Sequence, residues 1–134
     1  MAAYGVGPAG VTSITPASRC TQTKIGRIDV ADGSTGFAAF GLPKGAFIAG
    51  VYTIANGANT TQTIEAGFSA GGDELLTAFS PNDTGYATSG AATGASVGTQ
   101  LTADKTVYLT ASAALTNPVY VKVEYWMPPQ GLGF

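Results

Sequence analysis

From Val119 to Trp126 the chain alternates without a slip, with Val119, Val121, Val123 and Tyr125 on one side and Tyr120, Lys122, Glu124 and Trp126 on the other. A period of two belongs to a β-strand, whose successive side chains point to opposite faces, and one apolar face means a strand half-buried in a sheet. No stretch of the chain sustains the 3.6-residue period of an amphipathic helix.

Other segments follow the same rule. Ile28 and Val30 alternate with Arg27 and Asp29 in a strand that begins near Lys24, Asp32-Gly33 supplies a turn, and Phe37 to Phe40 is a short apolar run. Gly41-Leu42-Pro43-Lys44-Gly45 leads into a strand over 46–55, where Phe47 and Val51 share one face and Ile48, Tyr52 and Ile54 the other, so cover is expected on both sides. Asn56-Gly57 is a hairpin signal and predicts that this strand turns back onto 61–68, through a loop longer than two residues. Gly71-Gly72 breaks the chain, 73–79 reads as a strand or a single helical turn, and 80–83 is a turn. The Gly, Ala, Ser and Thr of 84–98 lack the apolar area to offset their own ordering entropy, so this stretch is ordered only if something packs on it. Thr106 to Thr110 is a strand, and Asn117-Pro118 closes the turn before the last one.

Seven or so strands divided by Gly, Asn, Asp and Pro make the expected fold all-β: a single antiparallel β-sandwich or jelly-roll-like barrel over 23–127. Residues 1–22 read as an extended N-terminal arm, because Gly5, Gly7, Pro8, Gly10 and Pro16 interrupt too few apolar residues for a packed element. Residues 128–134 read as a Pro/Gly-rich C-terminal tail that carries Leu132 and Phe134.

The composition then limits function. With 6 basic and 8 acidic residues in 134, and 45% of the chain apolar, the surface is finished mainly with uncharged groups. A monomer of this mass exposes roughly 6,500 Å², or about one charge per 460 Å², a poor defence against association. Such a surface is expected to be covered by neighbours. The chain has no histidine, which removes the commonest general base and most catalytic zinc sites. Arg19, Lys24, Arg27, Lys44, Lys105 and Lys122 are scattered singly, too thin a field to neutralise a row of phosphates, so no nucleic-acid partner is expected. Cys20 is alone and makes no internal disulfide.

The longest apolar run, 46–55, is interrupted by Gly50 and Thr53 and falls far short of the ~20 residues a membrane helix needs, so no membrane partner is expected. The start lacks the basic and apolar regions of a signal peptide, and the protein is expected to stay where it is made. Gly5 to Gly10 matches GxGxxG literally, but with no strand before it and no helix after it the nucleotide-binding context is missing.

Glu65 with Asp73 or Glu74, and Asp29 with Asp32, are the carboxylate pairs that glycoside hydrolysis would require, and their places beside turns give them a solvated role instead. No loop supplies the oxygen ligands of a calcium site, so no catalytic residue, metal or cofactor is expected, and the chain is read as a non-enzyme. Asn59-Thr60-Thr61 and Asn82-Asp83-Thr84 match the glycosylation pattern and are taken as loop residues. The aromatics remain. Trp126, Tyr120 and Tyr86 offer either a flat sugar-binding platform or, in preference, a protein interface. The interface residues expected are Tyr4, Val6, Trp126, Leu132 and Phe134, apolar groups on segments with no evident core of their own.

The order of segments from Phe37 to Tyr125 carries a resemblance. Phe40-Gly41-Leu42-Pro43-Lys44-Gly45-Ala46-Phe47-Ile48, then Ala66-Gly67-Phe68-Ser69, then Leu101-Thr102-Ala103-Asp104-Lys105-Thr106-Val107-Tyr108-Leu109 and a Val-rich last strand resemble the head decoration (cement) or auxiliary capsid proteins of tailed bacteriophages. That resemblance implies an all-β domain, often a homotrimer, bound to the major capsid protein on the capsid exterior of a virion assembled in the host cytoplasm. It brings no catalytic residues. The Gly/Pro-rich start and the Pro-Pro tail lie outside it. The alternative function is a carbohydrate- or receptor-binding module of a phage fibre or tail-associated protein.

Overall fold

The structure is a computed structural model that describes residues 21–32, 35–55, 57–59, 61–81, 85–88 and 93–128, with 85–88 described by backbone alone. Eight strands follow in order: β1 (Gln22–Ile28), β2 (Phe37–Leu42), β3 (Phe47–Ala55), β4 (Ile64–Gly67), β5 (Leu76–Phe79), β6 (Gly85–Thr88), β7 (Lys105–Ala111) and β8 (Val119–Trp126). Among the described residues the helical content is one 3-10 turn, Val30–Asp32. The arm and the tail expected at the two ends lie outside the described residues, apart from Thr21, Gln22 and Pro128.

The strands form two antiparallel four-stranded sheets, ordered β1-β8-β3-β6 and β2-β7-β4-β5. First pairs with last, second with seventh, third with sixth and fourth with fifth. This is one long hairpin rolled up on itself, the winding of an eight-stranded jelly roll, open as a sandwich. The two sheets enclose one core, built from Ile28, Leu42, Ile48, Val51, Ile64, Leu75, Leu76, Val107, Leu109, Val119, Val121 and Val123, all buried. The apolar face expected of the last strand is this core face, since Val119, Val121, Val123 and Tyr125 are buried and the alternate residues are not. At Gly26 the sheets stand close: a Cβ there would lie 2.8 Å from Leu109 Cδ1 and 2.9 Å from Ala39 Cβ.

Three expectations are corrected. Strand 46–55 does not form a hairpin with 61–68, because β3 pairs with β8 and β6, while β4 pairs with β7 and β5 in the other sheet. Local turn chemistry at Gly57 loses to the long-range partners of β3 and to an anchor inside the loop. The Asn59 side chain is fully buried, and its Oδ1 accepts the N–H groups of Thr116 and Asn117, both at 2.8 Å. The β3–β4 loop is thereby tied to the β7–β8 loop, and both cross between sheets. The pair that is consecutive within one sheet is β4–β5, across Gly71-Gly72.

The faces of β3 also differ from the expected ones. The register runs Ile48↔Tyr125 and then Gly50↔Glu124, so a bulge at Ala49 shifts the alternation by one residue. Ile48, Val51, Thr53 and Ala55 all face the core, and Phe47, Tyr52 and Ile54 are only half-buried. Val30 is not a strand residue; it lies in the 3-10 turn and is 42% exposed.

The small-residue stretch before β7 is ordered where something holds it. Gly94 and Ser96 donate to the carbonyls of Leu75 and Glu74 on one sheet, and Gly98 and Leu101 donate to Ile48 and Ala46 on the other. Residues 93–101 thus span the gap between the sheets on the side of β5 and β3, with Val97 packed on the core.

Asn59→Ala should lower stability by about 2 kcal/mol, because two amide donors lose a buried acceptor. Urea unfolding checks this as a lower midpoint at unchanged slope. The burial of Asn59 also means that the Asn59-Thr60-Thr61 pattern presents no accessible acceptor in the folded chain.

Candidate interaction surface on the outer face of the β1-β8-β3-β6 sheet

Alternation that sends valines inward sends the large polar and aromatic residues outward. The register fixes their rows: Arg27, Tyr120 and Ile54 in the first, Ile25, Lys122 and Tyr52 in the second, Thr23, Glu124 and Gly50 in the third, and Trp126 with Phe47 in the fourth, with the backbone of β6 running alongside Tyr52 to Ala55. The bulge of β3 is what brings Phe47, Tyr52 and Ile54 onto the same side as Tyr120 and Trp126. Gly50 leaves room for Tyr52, whose hydroxyl would lie 2.8 Å from a Cβ at that position.

The rings of Trp126, Tyr52 and Tyr120 each have a partner. Trp126 packs on Phe47 with centroids 5.8 Å apart and ring planes tilted by 43°. Lys122 Nζ lies 4.9 Å from the Tyr52 centroid and 3.0 Å from Glu124 Oε2. The Arg27 guanidinium lies 5.5 Å from the Tyr120 centroid, donates to its hydroxyl at 3.2 Å and pairs with Asp29. The hydrogen bond to Tyr120 and then the pairing with Asp29 hold the Arg27 pKa above its ordinary value. These contacts stack cations on rings and leave a face with aromatic and apolar groups at both ends and the Lys122–Glu124 ion pair between them. A cleft of about 240 Å³ lies at one end, lined by Arg27, Ile54, Ala55, Pro118 and Tyr120.

Of the expected interface residues, Trp126 is on this face and half-buried, while Tyr4, Val6, Leu132 and Phe134 lie outside the described residues. Tyr120 and Trp126 do not make one flat platform. They share a face but stand six residues apart on one strand, about 20 Å, and the Trp126 ring is tilted against Phe47. Ile25, Arg27, Phe47 and Tyr52 were not among the interface residues expected from the sequence. Alternation alone would have placed Ile25 and Arg27 beside each other, whereas Tyr52 needed the bulge.

Two of the acidic candidates accept main-chain hydrogen bonds. Asp32 Oδ2 accepts the Asp29 N–H at 2.6 Å and closes the 3-10 turn, and Glu74 Oε1 accepts the Phe68 N–H at 2.9 Å where the chain leaves β4. Glu65 pairs with Thr110 in the β4–β7 ladder. Among the described residues no three acids, cysteines or histidines gather as a metal site would require, and no helix is long and apolar enough to cross a membrane.

At the opposite end of the sandwich a wider cleft of about 510 Å³ opens between the sheets, lined by Lys24, Leu42, Pro43, Lys105 and Tyr125 among others. The first strand begins and the last strand ends beside it, Gln22 being the register partner of Tyr125. The start of β1 and the end of β8 therefore lie at the same pole of the domain.

No protein-family model matches the chain, and no curated protein matches it. Its fold is shared with a chain in the solved structure of the cyanophage Pam1 capsid asymmetric unit, at a TM-score of 0.54 and 19% identity, over 92% of this chain and 100% of that one.

Proposed function

We propose that this chain is a structural protein of a bacteriophage virion, which oligomerises and binds the outer surface of the head as a cement. The observation that carries the reading is the shared fold, which takes in the whole of a chain found in a capsid asymmetric unit. The sparsely charged surface and the aromatic outer face of the β1-β8-β3-β6 sheet support it, since both favour burial against a neighbour. The partner is then the major capsid protein, the subunits cluster as the trimer that the sequence resemblance implies, and the site of action is the exterior of the particle. The role asks for no catalysis. A subunit that binds the assembled lattice more tightly than the loose one adds its binding free energy to particle stability by linkage.

Sedimentation of the full chain with its candidate shells tests this directly. Co-sedimentation and a raised temperature of shell disruption are expected. A chain lacking Met1 to Thr15 and Pro128 to Phe134 should keep its β domain and lose attachment; unchanged affinity would show that the ends make no contact. Trp126→Ala should weaken attachment at least about tenfold, the usual cost of removing an aromatic anchor, with circular dichroism showing the fold retained. Full binding by that variant would remove Trp126 from the contact. Glycan binding lost on Tyr120→Ala, with no binding to shells, would favour a carbohydrate-binding module.

A further inference from the structure

The four sheet edges of this sandwich are not alike. β5 and β6 are four residues long, and the entry to β5 is bridged by Thr93. β2 is interrupted by a register shift between Ala38 and Phe40. β1 runs seven residues in unbroken register with β8 and pairs with nothing else among the described residues. Long, flat, uncovered edges are the ones that accept another strand, and bulges and short lengths are what normally blunt them. Gln22, Thr23, Lys24 and Ile25 are all exposed, Ile25 at 53%, the highest of the exposed large hydrophobic residues.

We propose that β1 is a self-association edge, on which β1 of a second copy pairs antiparallel about a twofold axis at Ile25. The strand is complementary to itself in this register. Ile25 meets Ile25, Thr23 meets Arg27, Lys24 meets Gly26 and Gln22 meets Ile28, so apolar surface is buried on the axis and no like charges stand directly opposite. Registers centred on Lys24 or Arg27 would set two cations face to face. The pairing joins two β1-β8-β3-β6 sheets into one continuous sheet of eight strands and extends the aromatic outer face across the axis. It goes beyond the capsid reading and does not rest on it, since its test uses the chain alone. A twofold contact is also compatible with trimers on an icosahedral shell, where twofold axes relate neighbouring threefold positions.

The edge of one strand covers well under the about 800 Å² per partner of a standard complex, so the pairing is concentration-dependent. The two Lys24 residues stand about 8 Å apart on one face, near a Debye length at 0.1 M salt, so added salt tightens the pairing rather than loosening it. Ile25→Cys in a Cys20→Ser background tests the geometry, because residues facing each other on the axis lie within disulfide reach. Under mild oxidation at about 0.1 mM this variant is expected to form a covalent dimer at least tenfold faster than Thr23→Cys, whose counterparts are about 14 Å apart. Thr23→Cys mixed with Arg27→Cys should give the heterodimer. Ile25→Lys, on an exposed position where folding is not at risk, should shift the dimerisation midpoint of the full chain at least tenfold upward in analytical ultracentrifugation. Equal cross-linking of the Thr23 and Ile25 variants, a chain that stays monomeric to millimolar concentration, or an oligomer that Ile25→Lys leaves unchanged would each overturn the proposal.

Discussion

Leu109→Ala is expected to cost about 3–4 kcal/mol of folding free energy, in the upper half of what large-to-small core changes do. Leu109 is fully buried at the centre of β7, between Phe37 on β2 and Ala66 on β4. Its Cδ1 faces β1 at Gly26, where the opposite wall is backbone. Gly26 offers no side chain to fill the space, and Ala39 and Phe40 beside it are already packed on the core, so the cavity relaxes only in part and most of the lost contacts are not replaced. The same geometry predicts a coupling. Gly26→Ala alone drives a methyl against Leu109 and Ala39 and should cost about 1–3 kcal/mol by overpacking. In the Leu109→Ala background the first clash is gone, and the double variant should be more stable than the sum of the two by at least about 0.5 kcal/mol. Denaturant unfolding of the four proteins measures it; strict additivity would mean that the sheets do not meet at these residues.

The second large effect is expected from Gly94→Ala. A Cβ at Gly94 would lie well inside 3.0 Å of the main-chain atoms of Asp73 and Glu74, and main chain cannot turn aside as a flexible side chain does. The first anchors of the 93–101 segment, Gly94 to Leu75 at 3.0 Å and Ser96 to Glu74 at 2.8 Å, must then open. The loss should reach about 3 kcal/mol, from the clash and about 1 kcal/mol for each hydrogen bond. Hydrogen exchange gives the sharper reading: the amides of Ser96, Gly98 and Leu101 should lose protection while those of β8 keep it. Gly98→Ala is the control. Gly98 has φ of +87° with open space around it, so that change should cost only about 1–2 kcal/mol of left-handed backbone strain. Equal effects at the two glycines would mean that steric contact at Gly94 does not hold the segment.

Much of the fold was legible in the chain because a half-buried strand writes its two faces into alternate residues. The last strand is the clearest case, since each valine expected inside is inside. The site was only partly legible. Trp126 and Tyr120 are on the outer face as alternation requires, but their 20 Å separation follows from strand rise, and the tilt of Trp126 follows from its contact with Phe47. Ile25, the residue on which self-association turns, has no mark in the sequence beyond its own side chain. Its importance comes from the edge position of β1 and from the lack of a second partner among the described residues.

By itself the amino-acid sequence determined that this chain is all-β, where most of its strands lie and that its surface is poor in charge, because period-two patterning, turn residues and composition are local properties. The tertiary structure alone decided which strands are neighbours, that β3 changes face at Ala49, and that β1 is the longest sheet edge in unbroken register among the described residues. Pairing is a competition among distant partners for the same backbone hydrogen bonds, and burial of the whole core settles it. A local turn signal such as Asn56-Gly57 contributes too little to prevail against a strand held on both edges.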